Sequence, residues 1–114
     1  MTETQSASRT ETIRAFNDRL RIRGEGGKTV LSRGVATLPP DELVSVLRGV
    51  AAFAAFSPSN DPYGEHDCAI FDAGFHRVLW KVDYYDHDLQ YLSQDPADPE
   101  LTRRVLTIML AEEY

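Results

Sequence analysis

Cys68-Ala69-Ile70-Phe71-Asp72-Ala73-Gly74-Phe75-His76-Arg77-Val78-Leu79-Trp80-Lys81-Val82-Asp83-Tyr84-Tyr85 is the stretch on which the fold turns. Two runs rich in β-branched and aromatic residues flank Asp72-Ala73-Gly74, where Asp and Gly supply turn chemistry, so a β-hairpin is predicted. The second arm alternates. Val78, Trp80, Val82 and Tyr84 point one way, and Arg77, Leu79, Lys81, Asp83 and Tyr85 point the other. A period of two predicts a sheet with one buried face and one at least partly wet. Trp80 falls in the middle of the apolar set and is assigned to the core.

Towards the N-terminus, Ser8 and Glu11 have capping-box spacing, and Ile13, Phe16 and Leu20 recur at helical intervals. They predict a helix over roughly 9–22, ended by Gly24 and Gly26-Gly27. Its five arginines read as a solvated face. Residues 28–38 are rich in β-branched side chains and read as a strand, with Gly34 marking a bulge or a close approach. Pro39-Pro40-Asp41 opens a second helix whose stripe is Leu43, Leu47, Val50 and Ala54, flanked by Val46 and Phe53 and closed by Pro58. Gly49 weakens that helix by up to ~1 kcal/mol against Ala, which close packing on the sheet would explain.

Towards the C-terminus, residues 86–98 form a loop, Asp98 suits an N-cap and Pro99 the first helical position. A final helix over 100–113 is then predicted, apolar around most of its circumference through Leu101, Val105, Leu106, Ile108, Met109 and Leu110. The order α-β-α-β-β-α specifies an α+β, two-layer domain: a small antiparallel sheet of about three strands with three helices. One compact domain spans 1–114, with 1–8 frayed.

Composition narrows the class. With 42% hydrophobic and 26% charged residues the chain is globular, and no apolar run reaches the ~18 residues of a membrane span. The polar start lacks the basic-then-apolar pattern of a signal peptide, which points to the cytoplasm. Cys68 is the single cysteine, so no internal disulfide forms, and it reads as a small buried thiol. The net charge of −6 is unevenly spread. Residues 1–56 hold eight Lys or Arg against six acids, and residues 57–114 hold four against twelve, giving +2 and −8. The second half should repel a phosphate backbone and attract basic protein surface or a metal ion, so direct nucleic-acid binding is not expected.

Asn60-Asp61-Pro62-Tyr63-Gly64-Glu65-His66-Asp67 is a non-periodic connection that cannot build a core, and such loops carry function. Antiparallel pairing brings Asp67, which enters the first hairpin strand, beside Asp83, which leaves the second. The predicted binding patch is therefore Asp61, Tyr63, Glu65, His66, Asp67, Asp83, Tyr85, Asp86 and His87. Tyrosines ringed by acids suit a protein interface. An alternative is a metal-dependent hydrolase or nuclease built on His66, Asp83 and Asp86, although no pair has an established ligand spacing. His66 between two acids would also serve to hold the loop. No Gly-x-Ser-x-Gly elbow exists, and Gly24-Glu25-Gly26-Gly27-Lys28-Thr29 lacks the spacing of a phosphate loop and reads as a turn. No cofactor is expected. A protein partner is, and self-assembly through the apolar final segment is left open.

Five words of the chain resemble the bacterial family catalogued as domain of unknown function 3768. They are Phe16-Asn17-Asp18-Arg19-Leu20, Leu31-Ser32-Arg33-Gly34-Val35, the 60–67 loop, Trp80-Lys81-Val82-Asp83-Tyr84-Tyr85-Asp86 and Arg104-Val105-Leu106-Thr107-Ile108-Met109-Leu110-Ala111. The resemblance runs from Phe16 to Tyr114. It implies a small accessory protein of alphaproteobacterial genomes and plasmids, and so a mobile-element role such as countering host defence. Joined to the acidic patch, it suggests an inhibitor that occupies the basic groove of a defence nuclease or CRISPR effector.

Overall fold

The computed structural model describes residues 3–114, with side chains from residue 8 onward. The elements are α1 (Glu3–Arg23), β1 (Lys28–Leu31), α2 (Arg33–Ala36), α3 (Pro40–Ala52), β2 (Cys68–Ala73), β3 (His76–Tyr85) and β4 (Arg103–Leu110), closed by a 3₁₀ turn (Ala111–Glu113). The strands form one four-stranded sheet in the order β1-β4-β3-β2. β2 and β3 are the predicted hairpin, β3 and β4 are antiparallel, and β1 runs parallel to β4. The class is α+β as expected, but the sheet is mixed and has four strands rather than about three.

The hairpin turns at Gly74-Phe75, one residue later than Asp72-Ala73-Gly74 predicts, because Ala73 pairs with His76. Gly74 takes φ 62°, the left-handed value that a two-residue primed turn requires and that glycine supplies without strain.

The largest departure is at the C-terminus, where the predicted helix over 100–113 is strand β4. Arg104, Leu106, Ile108 and Leu110 are buried and the residues between them are not, which is a period of two. β4 lies between β1 and β3, and its wet face still carries Val105 and Met109. Apolar residues on both faces blur the alternation into a run that helix and strand fit equally well. Asp98 does accept from Glu100 N–H at 2.9 Å, but it caps a turn and not a helix.

β1 also stops early. Ser32 accepts from Val35 N–H at 3.2 Å and starts the single turn of α2, so the strand predicted over 28–38 ends at Leu31. Gly34 is a close approach rather than a bulge: its N–H donates to Glu113 at 2.9 Å, and a Cβ would lie 2.6 Å from that carboxylate. Glu113 also accepts from Ser32 Oγ at 2.6 Å and Leu110 N–H at 2.8 Å, tying the last turn to α2. These three donors hold its carboxyl below the usual range.

α1 begins before Ser8, so the capping-box reading of Ser8 and Glu11 does not hold. The expected fraying of 1–8 concerns residues 1 and 2, which lie outside the described residues, and 3–8, where the backbone is helical. Of the predicted stripe α3 buries Val50 and packs Leu43 partly buried against the core, Leu47 stays exposed, Ala54 lies past the helix end, and the flanking Val46 is fully buried. Gly49 does pack as expected, since a Cβ there would sit 2.3 Å from the Phe71 ring.

The helices stack on one side of the sheet, over Ala69, Val78, Trp80, Val82, Leu106 and Ile108. Trp80 is fully buried at the centre, with Phe53 and Phe56 edge-on at 6.0 and 6.1 Å. The other side carries Cys68, Ile70, Leu79, Lys81 and Asp83, all partly or fully exposed. One dry and one wet face is the pattern the hairpin alternation predicts. No helix among the described residues is long and apolar enough to cross a membrane.

Candidate functional site

The 60–67 loop is held by α1, through side chains that look unremarkable in the sequence. Asn17 is fully buried on the inner face of α1, four residues after Ile13 and three before Leu20. Its amide donates to Glu65 C=O at 3.0 Å and to Tyr84 Oη at 2.7 Å, and its oxygen accepts from Arg104 Nε at 3.1 Å. Tyr84 in turn donates to Glu65 Oε1 at 2.9 Å. Burial, above all, raises the Tyr84 phenol, so the group stays a neutral donor. Arg14 donates to Gly64 C=O at 2.6 Å. A polar residue in an apolar helical row was the available signal for Asn17.

His66 has φ 53° and stacks flat on Phe56, with ring centres 3.7 Å apart. Its Nδ1 lies 2.9 Å from Asp18 and its Nε2 lies 3.7 Å from Asp61. Asp61 is itself buried and accepts from His66 N–H at 3.1 Å. Both residues therefore build the loop, the holding role foreseen for His66. The five α1 arginines are a solvated face only in part: Arg19 and Arg23 are exposed, but the fold engages others. Arg21 is buried and donates to the carbonyls of Val50, Ala51 and Phe53 at the end of α3. Arg9 pairs with Asp95 at 2.6 Å and Arg19 with Glu25 at 2.7 Å. Of these contacts, Arg9–Asp95 joins the positive first half of the chain to the negative second half, whereas those of Arg19 and Arg21 stay within the first.

Antiparallel pairing does bring Asp67 to Asp83. Val82 N–H donates to Asp67 C=O at 2.7 Å, next to the Cys68–Lys81 pair. Burial and the neighbouring charges of Glu65, Asp61 and Asp83 raise the Asp67 carboxyl. Asp83 pairs with Lys81 at 2.8 Å on the open face. Tyr63 is exposed.

Asp86 and His87 do not join this cluster. Tyr85 lies three residues beyond Val82, roughly 10 Å along the strand. Asp86 then folds its own loop, accepting from Gln90 N–H at 3.1 Å and Tyr91 N–H at 3.4 Å. His87 reaches the carbonyl of Glu100. The single acidic rim expected from the hairpin is therefore two separate features, and His66, Asp83 and Asp86 each have other partners. Among the described residues no group of three or more His, Cys, Asp and Glu is placed to hold a metal ion.

Cys68 is exposed rather than buried, because it falls on the open face of β2. Partial desolvation of its sulfur, then Asp67 and Asp61, raise the thiol, which makes it a poor nucleophile. Beside it, a shallow hollow of about 320 Å³ is lined by Asp67, Ile70, Leu79, Lys81, Asp83 and Tyr114. Ile70 is 56% exposed and Tyr114 84%. The hollow offers an apolar floor with charged groups at its edge, chemistry suited to contact with another protein.

No curated protein and no solved structure matches the chain. A family model does, over residues 31–113; Phe16-Asn17-Asp18-Arg19-Leu20 lies before that match. The chain belongs to the family described as "Protein of unknown function (DUF3768)".

Proposed function

We propose that this protein works by binding another protein through the open face of its sheet. The observation that carries the reading is the uncovered apolar floor of Ile70, Leu79 and Tyr114 beside the crowded Asp67–Asp83 edge. An apolar centre with a charged rim is the anatomy of a protein interface, and a carboxylate edge selects a basic partner surface. Tyr63, Glu65 and Tyr85 extend the contact, whereas His66 and Asp61 hold its shape. The partner fitting this chemistry best is a protein with a basic groove for nucleic acid. The mobile-element role that the family resemblance implies makes a host defence nuclease or CRISPR effector the natural choice, with this chain as its inhibitor.

The test is affinity capture from the native host with wild-type protein and with Asp67→Lys/Asp83→Lys at an unchanged melting temperature. A specific partner should be retained by the wild type, lost by the charge-swapped variant and released as salt rises, because rim charges are screened. Equal capture by both proteins at every salt concentration refutes this reading.

A further inference from the structure

A second cleft, of about 540 Å³, opens where the β1 entry meets the loop between β3 and β4. Lys28, Arg103 and His87 line it together with the Gly26-Gly27 backbone, and none of its lining residues is acidic. In a chain with 18 acids against 12 Lys and Arg, that is a local reversal of sign.

The reversal is built by the sheet. Lys28 pairs with Val105 in the parallel register, so Lys28 and Arg103 are diagonal neighbours on one face of adjoining strands. Like charges so placed repel. Among the described residues neither cation forms an ion pair. The N–H groups of Gly26 and Gly27 likewise have no backbone partner there. Gly27 admits no side chain, since a Cβ would lie 2.6 Å from the carbonyl of Arg104, and the chain can hug β4 only with glycine at this place. On the opposite wall, Leu89 has φ 58°, a strained value for a branched side chain, in the loop that Asp86 ties together. Leu89 and Pro99 give that wall an apolar surface.

We infer that this cleft binds a small phosphate monoester, its phosphate between Lys28, Arg103 and the Gly26-Gly27 N–H groups and its body against Leu89 and Pro99. A dianion relieves the Lys28–Arg103 repulsion and supplies acceptors for unpaired donors. The volume is in the range of small-molecule sites. This inference rests on different residues from the protein-binding reading, although the two surfaces adjoin, since Tyr85 pairs with Arg103 and Asp83 with Val105.

The experiment is amide NMR of the full chain titrated with inorganic phosphate and with adenosine monophosphate, against sodium chloride at matched ionic strength. Saturable shifts are expected at Gly26, Gly27, Lys28 and Arg103 with both phosphates, with the nucleotide binding more tightly. Lys28→Gln/Arg103→Gln should weaken binding by about tenfold or more, and each single variant should weaken it less. Arg48→Gln, which removes an exposed charge elsewhere, should leave it unchanged. Shifts that sodium chloride reproduces, or that Arg48→Gln weakens as much as the cleft variants do, overturn the site. A nucleotide bound no tighter than inorganic phosphate overturns the monoester assignment.

Discussion

Asp18 lies 2.9 Å from Nδ1 of His66 and 3.1 Å from Nη2 of Arg21, so one carboxylate on α1 ties the 60–67 loop to the guanidinium that caps α3. Around it, Phe56 is covered by His66 on one side and approached by Arg21 at 5.4 Å. The loop's shape thus depends on a helix some 48 residues earlier in the chain.

Asp18→Ala should therefore destabilise more than an average surface substitution. It leaves the nearly buried Arg21 without its counter-charge and frees His66, at a cost of about 2 kcal/mol. For a domain of this size that is a fall of about 10 °C in Tm. Asp18→Asn, which keeps an acceptor, should lose about half as much. Urea unfolding of the three proteins checks the ordering, and a wild-type midpoint for Asp18→Ala would show that Asp18 is not the tie described.

Gly49→Ala sets helix propensity against packing. Alanine favours a helix interior by ~1 kcal/mol over glycine. Its methyl would meet the Phe71 ring at 2.3 Å, and overpacking costs about 1–3 kcal/mol. The expected outcome is net destabilisation, reversed when Phe71→Leu is combined with it. A double-mutant cycle measures the coupling directly. A stabilised single variant would mean that the ring moves freely.

Asp67 makes a signed prediction about pH. Its carboxyl is raised by burial and by neighbouring acids, so the folded state holds this proton more tightly than the unfolded chain does. Between the ordinary Asp value and the raised one, the unfolded state binds fewer protons, and stability falls as pH rises. Asp67→Asn should accordingly stabilise the protein at neutral pH, on the order of 0.5 kcal/mol after solvent screening. The advantage should vanish below the ordinary carboxylate range, where both states are protonated. Thermal melts of both proteins from acid to neutral pH test this, and a difference independent of pH would contradict it.

Local chemistry made much of the molecule legible. The hairpin alternation placed Trp80 in the core and left one sheet face wet, because side chains on a strand point to opposite sides by geometry alone. The close fit of Gly49 and the meeting of Asp67 with Asp83 followed from pattern and pairing. Cys68 was misjudged because an apolar run does not say which face each member takes.

What the amino-acid order alone determined was the class of the domain, the hairpin, the starting point of α3 and the acidity of the loop. All of these rest on interactions between residues close in sequence or on simple period-two alternation. The tertiary structure decided that residues 103–110 are a strand, since a segment apolar on both faces takes its conformation from its neighbours, here β1 and β3. It also decided that Asn17 and Asp18 hold a loop far along the chain, and that Lys28 and Arg103 share one cleft. Those are contacts between distant segments, and a helical or strand period carries no record of what lies across from it.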